Sequence, residues 1–123
     1  GILAFSNDPA KHSDYIERVL QAAFEIQNKI NSKKIEYEEL WLGNFEISIG
    51  ISSGYASVGF YGNDRYFKSY TAIGRVVNLA ARLGSAAKPG QILVSNDIKT
   101  KMFKSTNKSL FGFSEISMPP LKG

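Results

Sequence analysis

The run Ser69-Tyr70-Thr71-Ala72-Ile73-Gly74-Arg75-Val76-Val77-Asn78-Leu79-Ala80-Ala81-Arg82-Leu83 changes character halfway along. It begins as a β-rich stretch, breaks at Gly74 and continues as an amphipathic helix. Val76, Leu79, Ala80 and Leu83 recur at i, i+3, i+4 and i+7, the spacing of one buried helical stripe. Asn78 and Arg82 are four residues apart and share a face one turn from each other, well away from that stripe. The spacing alone allows two readings. The pair is either an ordinary solvated face or an amide and a guanidinium offered from a helix anchored by its other side.

Working outward, Ala87-Lys88-Pro89-Gly90 is a stop-and-turn signal, and Gln91 to Ser95 reads as a short buried strand. A short helix is expected over Asn96 to Lys104, capped by Ser95 or Asn96, and a further strand over Ser109 to Ile116. Before the opening stretch, Phe67 to Ile73 reads as the second strand of a hairpin whose glycines are Gly54, Gly59 and Gly62. The Gly54-x-x-x-x-Gly59 spacing invites a phosphate-loop reading, but Phe60-Tyr61 stand where that loop needs Lys and Ser or Thr. Phe45-Glu46-Ile47-Ser48-Ile49-Gly50-Ile51-Ser52 alternates apolar and polar residues, a strand with one buried face.

Asn31 to Glu39 is polar and is expected to form a loop. Ile16, Val19, Leu20, Ala23, Ile26 and Ile30 form the stripe of a helix from about Ser13 to Ile30, with Ser13 or Asp14 as its cap. His12 stands alone before it, without partner spacing for metal or triad chemistry, and reads as surface. Ile2–Phe5 reads as a short apolar strand, an opening expected of a chain cut from a longer one. No internal repeat or linker divides the sequence, so residues 1–123 read as a single domain.

A chain of 123 residues that is 43% hydrophobic and 21% charged suits one compact domain with a real core. No apolar run approaches the roughly 18 residues of a membrane span. Without cysteine there is no disulfide framework and no thiolate metal site, which agrees with a cytoplasmic setting. The net charge of +4 is mild, and the late lysines Lys99, Lys101, Lys104 and Lys108 read as a solvated surface rather than a nucleic-acid patch. Strands, a hairpin and helices in this mixture indicate an α+β fold.

Tyr70-Thr71-Ala72-Ile73-Gly74, then Val77-Asn78-Leu79-Ala80-Ala81-Arg82-Leu83, then Ala87-Lys88-Pro89-Gly90-Gln91-Ile92-Leu93-Val94-Ser95 closely resembles the class III nucleotidyl cyclases, the adenylate and guanylate cyclase catalytic domains. The resemblance is strong over residues 46 to 95 and looser outside them. It implies a ferredoxin-like βαββαβ core with additional strands, truncated here at both ends. It also implies the conversion of a nucleoside triphosphate to its 3′,5′-cyclic monophosphate and pyrophosphate, with two Mg2+ or Mn2+ ions bridging the reacting groups.

On this resemblance Asn78 matches the residue that positions the ribose, and Arg82 the one that stabilises charge on the α-phosphate. Thr71 falls at the base-recognition position, where a hydroxyl that accepts from the adenine amino group favours ATP over GTP. Lys122 resembles a late lysine that meets the triphosphate. The family's two metal-binding aspartates are expected ahead of Gly1, so no metal ligand is assigned here and the chain alone is expected to be inactive. The family builds its sites between two domains, which implies a head-to-tail homodimer. Arg75 and Tyr55 stand where acidic residues are usual, and Arg75 at a helix start is electrostatically unfavourable.

Two other readings compete. One is a cyclase-like module that dimerises or binds nucleotide without turnover. The other is a ferredoxin-like RNA binder, for which Gly59-Phe60-Tyr61-Gly62 lacks the flanking basic and aromatic residues.

Overall fold

A computed structural model of the chain describes residues 1–7, 11, 13–41, 43, 45–63 and 67–103. Its elements are helix α1 (Tyr15–Ser32), helix α2 (Lys34–Trp41), strand β1 (Ile49–Ile51), strand β2 (Ser57–Asn63), strand β3 (Phe67–Ile73), helix α3 (Arg75–Ala86), strand β4 (Ile92–Val94) and helix α4 (Asn96–Phe103). Strands β1 and β4 pair in parallel, Ile49 with Ile92 and Ile51 with Val94. Strands β2 and β3 form an antiparallel hairpin in which Gly59 opposes Thr71. The expected α+β character holds, with one parallel and one antiparallel pair among the described residues.

The β1–β4 pair is the middle layer. On one face Ile51, with Ile49, Ile92 and Val94 beside it, meets Ile16, Leu20 and Ala23 of α1 and Ile98 and Met102 of α4. Alternation turns Gly50 and Leu93 to the other face. There Leu93 packs with Leu83 and Ala87, and Leu79 lies against them. The small-residue face of β1 is therefore covered by α3, where the sequence alternation pointed to only one buried face. Its regular part is also shorter than the expected span over residues 45–52.

Helix α1 buries Ile16, Leu20 and Ala23 as expected, but its fourth buried residue is Gln27, 5% exposed, while Ile26 faces solvent. Burial of the Gln27 amide is compensated because its Nε2 donates to the Ile47 carbonyl at 3.1 Å. The Asp14 side chain does not cap α1; it pairs with Arg18 at 2.9 Å, one turn on.

Two expectations are corrected. Residues 31–39 are not a loop: α1 runs to Ser32 and α2 follows after Lys33. Their polarity suggests a loop, yet Lys and Glu are good helix formers, no Gly or Pro interrupts them, and Glu36 sits in the first turn of α2. Lys34 and Glu38 add a favourable one-turn pairing. Ile2–Phe5 is not a strand, because it has no pairing partner among the described residues. Ile2 is 99% exposed, and Phe5 rests on the Tyr70 ring at 6.1 Å. His12, the expected strand over 109–116 and Lys122 lie outside the described residues.

Lys34 also ties α2 to the segment ahead of β1, its Nζ lying 2.7 Å from Glu46 Oε1. That hydrogen bond, reinforced by the carboxylate charge, holds the Lys34 ammonium above its ordinary value of 10.5. A raised folded-state value contributes stability that is present below 10.5 and is lost as pH rises through the raised value. Denaturation midpoints followed into alkaline pH are therefore expected to show a small downward step that Lys34→Met removes. The same step in the variant would assign it to another group.

Candidate active site on helix α3

The hairpin delivers the chain to α3 through Gly74, whose φ of 154° lies in the region that favours glycine. A Cβ at Gly74 would meet the Tyr55 carbonyl oxygen at 3.4 Å and the Ala56 Cα at 3.5 Å, so the bend fits closely under the β1–β2 connection. The Gly74 carbonyl accepts from Val77 N at 3.1 Å and from Asn78 N at 3.2 Å, which closes the first turn. No side chain caps that end and no acidic residue stands in its first turn.

Helix α3 is gripped along one side. Leu83 is buried, and Val76, Leu79 and Ala80 are half-buried, in line with the expected stripe. Two serines of the β1 region bind its backbone: Ser48 Oγ donates to the Gly84 carbonyl at 2.7 Å, and Ser52 Oγ donates to the Val76 carbonyl. Gly50 lies between them against the helix, where a Cβ would overlap the Ala80 carbonyl oxygen and the Gly84 amide. These contacts were missed at the sequence level. Their signal is the series of small residues Ser48, Gly50 and Ser52 at period two, answered by Gly84 on the helix.

Asn78 and Arg82 occupy the side of α3 turned away from Ala80 and Gly84, as successive 100° steps require. Asn78 is exposed and Arg82 half-buried. Among the described residues neither side chain is engaged in a hydrogen bond or ion pair. The structure thus brings these two together on one helix face. Thr71 is placed separately, on β3 three residues before the bend, half-buried and opposite Gly59. Ser57 and Tyr61 flank Gly59 on the same face of β2, and their hydroxyls are 2.6 Å apart.

The arrangement offers a permanent planar cation and an amide that both donates and accepts, with a hydroxyl on the strand leading to them. Among the described residues no three His, Cys, Asp or Glu side chains gather to hold a metal ion. Asn78, Arg82 and Thr71 offer an amide, a guanidinium and a hydroxyl but no carboxylate, so they do not fit the two metal ions that the cyclase resemblance implies. Among the same residues no helix is long and apolar enough to cross a membrane.

The adenylate and guanylate cyclase catalytic domain profile matches residues 3–123, and the chain belongs to that family. Among solved structures, the chain is similar to the adenylyl cyclase CyaB from P. aeruginosa, with 29% identity, a TM-score of 0.71, and coverage of 79% of this chain and 50% of that one. It is similar to the guanylyl cyclase Cya2, with 28% identity, a TM-score of 0.68, and coverage of 76% and 47% respectively. The guanylate cyclase domain of RhGC from Catenaria anguillulae, solved in complex with GTP, gives 25% identity, a TM-score of 0.68, and coverage of 79% and 50%. The chain thus spans about half the length of the solved structures it matches. A comparison with curated proteins gives no match.

Proposed function

We propose that this chain carries the base-recognition and transition-state half of a nucleotidyl cyclase site. The reaction converts ATP, in preference to GTP, to the 3′,5′-cyclic monophosphate and pyrophosphate. The observation that carries the reading is Asn78 and Arg82, side by side and unengaged among the described residues, on a helix held firmly by its opposite face.

In the reaction the ribose 3′-oxygen loses its proton and bonds to the α-phosphorus, and the bond to the bridging oxygen of the leaving pyrophosphate breaks. Negative charge then accumulates on the non-bridging α-phosphate oxygens, where the Arg82 guanidinium donates. Asn78 holds the ribose so that its 3′-oxygen stays in line. Thr71 Oγ1 accepts from the adenine amino group. The divalent ions, Mg2+ or Mn2+, are held by carboxylates from outside these residues. The partner is a second copy arranged head to tail, so each site takes Asn78 and Arg82 from one subunit and its ions from the other.

The test of this reading is complementation in the complete cyclase that carries these residues. Mixing Arg82→Ala subunits with subunits lacking the metal carboxylates is expected to restore about a quarter of the activity, because half of the dimers regain one site of two. No recovery in a mixture shown to exchange subunits overturns the shared site, whereas no turnover by the unaltered protein favours a nucleotide-binding or dimerising module instead. The purine preference has its own measurement. Thr71→Val is expected to lower kcat/KM for ATP about five- to tenfold, the worth of one hydrogen bond, and to leave GTP turnover nearly unchanged. An equal loss with both nucleotides removes Thr71 from base selection.

A further inference from the structure

Strand β1 and its flanks meet α3 through three residues of one face, and each of these contacts is to the helix backbone. Ser48 donates to the Gly84 carbonyl at 2.7 Å, and Ser52 donates to the Val76 carbonyl. Between them a Cβ on Gly50 would overlap Ala80 and Gly84 backbone atoms and lie 2.8 Å from the Leu83 carbonyl carbon. The repeat distances agree: two strand residues advance about 6.6 Å, and four helix residues about 6 Å. Positions 48, 50 and 52 therefore fall beside 84, 80 and 76 in turn.

A shift of α3 by one residue, along its axis or about it, would break both hydroxyl bonds at once. It would also bring a different part of the helix onto Gly50. Apolar packing has no such directionality, since burial depends on area rather than on angle. Gly84 belongs to the last turn of α3, whose carbonyls lack intrahelical donors, so Ser48 supplies a bond the helix cannot make for itself. Asn78 and Arg82 both lie between the two carbonyls held in this way.

We propose that Ser48 and Ser52 are positioning residues that fix the height and rotation of α3, and so aim Asn78 and Arg82 at the substrate. The inference rests on the functional reading above. Its test uses the complete cyclase with Ser48→Ala and Ser52→Ala combined. The expected result is about a tenfold fall in kcat with KM within about twofold, the pattern of a displaced transition-state donor. Hydrogen exchange is expected to quicken over residues 75–86 and to stay unchanged over residues 15–32. Ser48→Thr, which keeps a hydroxyl at an exposed position, is expected to retain wild-type kcat where Ser48→Ala loses about threefold, and this pair carries the test if the double variant does not fold.

Unchanged kcat in a folded double variant, with Arg82→Ala still impaired, overturns the positioning role and leaves the functional reading intact. A rise in KM at constant kcat, or equal behaviour of Ser48→Thr and Ser48→Ala, overturns it as well. An Arg82→Ala enzyme with full kcat removes the functional reading, and this inference with it.

Discussion

Arg82→Ala in the complete cyclase is expected to lower kcat roughly 10²- to 10³-fold while KM for ATP changes little. In the proposed reaction the triphosphate already carries its charge in the ground state. What grows during the reaction is the negative charge on the α-phosphate oxygens, so a donor aimed there contributes mainly in the transition state. Arg82→Lys is expected to recover only part of the loss, because an ammonium places one point charge where the guanidinium presents a planar fork. Steady-state kinetics on both variants decide the matter. A rise in KM at unchanged kcat would reassign Arg82 to substrate binding, and equal losses in both, or no loss, would also count against its transition-state role.

Gly50→Ala is expected to destabilise the domain by about 3 kcal/mol, at the upper end of the cost of overpacking. The added methyl would meet the Ala80 carbonyl oxygen and the Gly84 amide, and main-chain atoms cannot rotate aside as a side chain can. Relief requires α3 to lift from β1, so the substitution is also expected to reduce kcat. Gly84→Ala provides the contrast. Its Cβ would approach Gly50 N at 3.4 Å, a tight contact offset by the gain of about 1 kcal/mol that alanine brings inside a helix. Denaturant midpoints of the two variants are expected to separate clearly. A Gly50→Ala midpoint equal to wild type would mean that β1 and α3 accommodate the methyl without strain.

The sequence was most legible where pattern and chemistry agreed. The stripe of α3 and the face shared by Asn78 and Arg82 follow from 3.6-residue periodicity, the break at Gly74 follows from glycine's backbone freedom, and the structure reproduces them. The hairpin was legible for the same kind of reason, since its glycines punctuate two β-rich runs. Reading failed where composition stood in for mechanism. The polar run over residues 31–39 suggests a loop by composition, yet its helix propensity and charge pairing carry it into α1 and α2. Gln27 was invisible as a core residue because its burial depends on the Ile47 carbonyl, a partner twenty positions away. Ser48, Gly50 and Ser52 looked like a strand's outer face, and only the return of the chain as α3 gives them their role.

The two sides of the β1–β4 layer adhere by different means, and that divides the domain for anyone altering it. Where α1 and α4 meet the layer, cohesion comes from bulky aliphatic volume, which a redesigner can exchange for equal volume at modest cost. Beside Gly50, no such freedom exists, because stature there is limited to almost nothing. Thermal hardening of this protein therefore belongs on the first side, where a gain in robustness leaves the orientation of the guanidinium untouched.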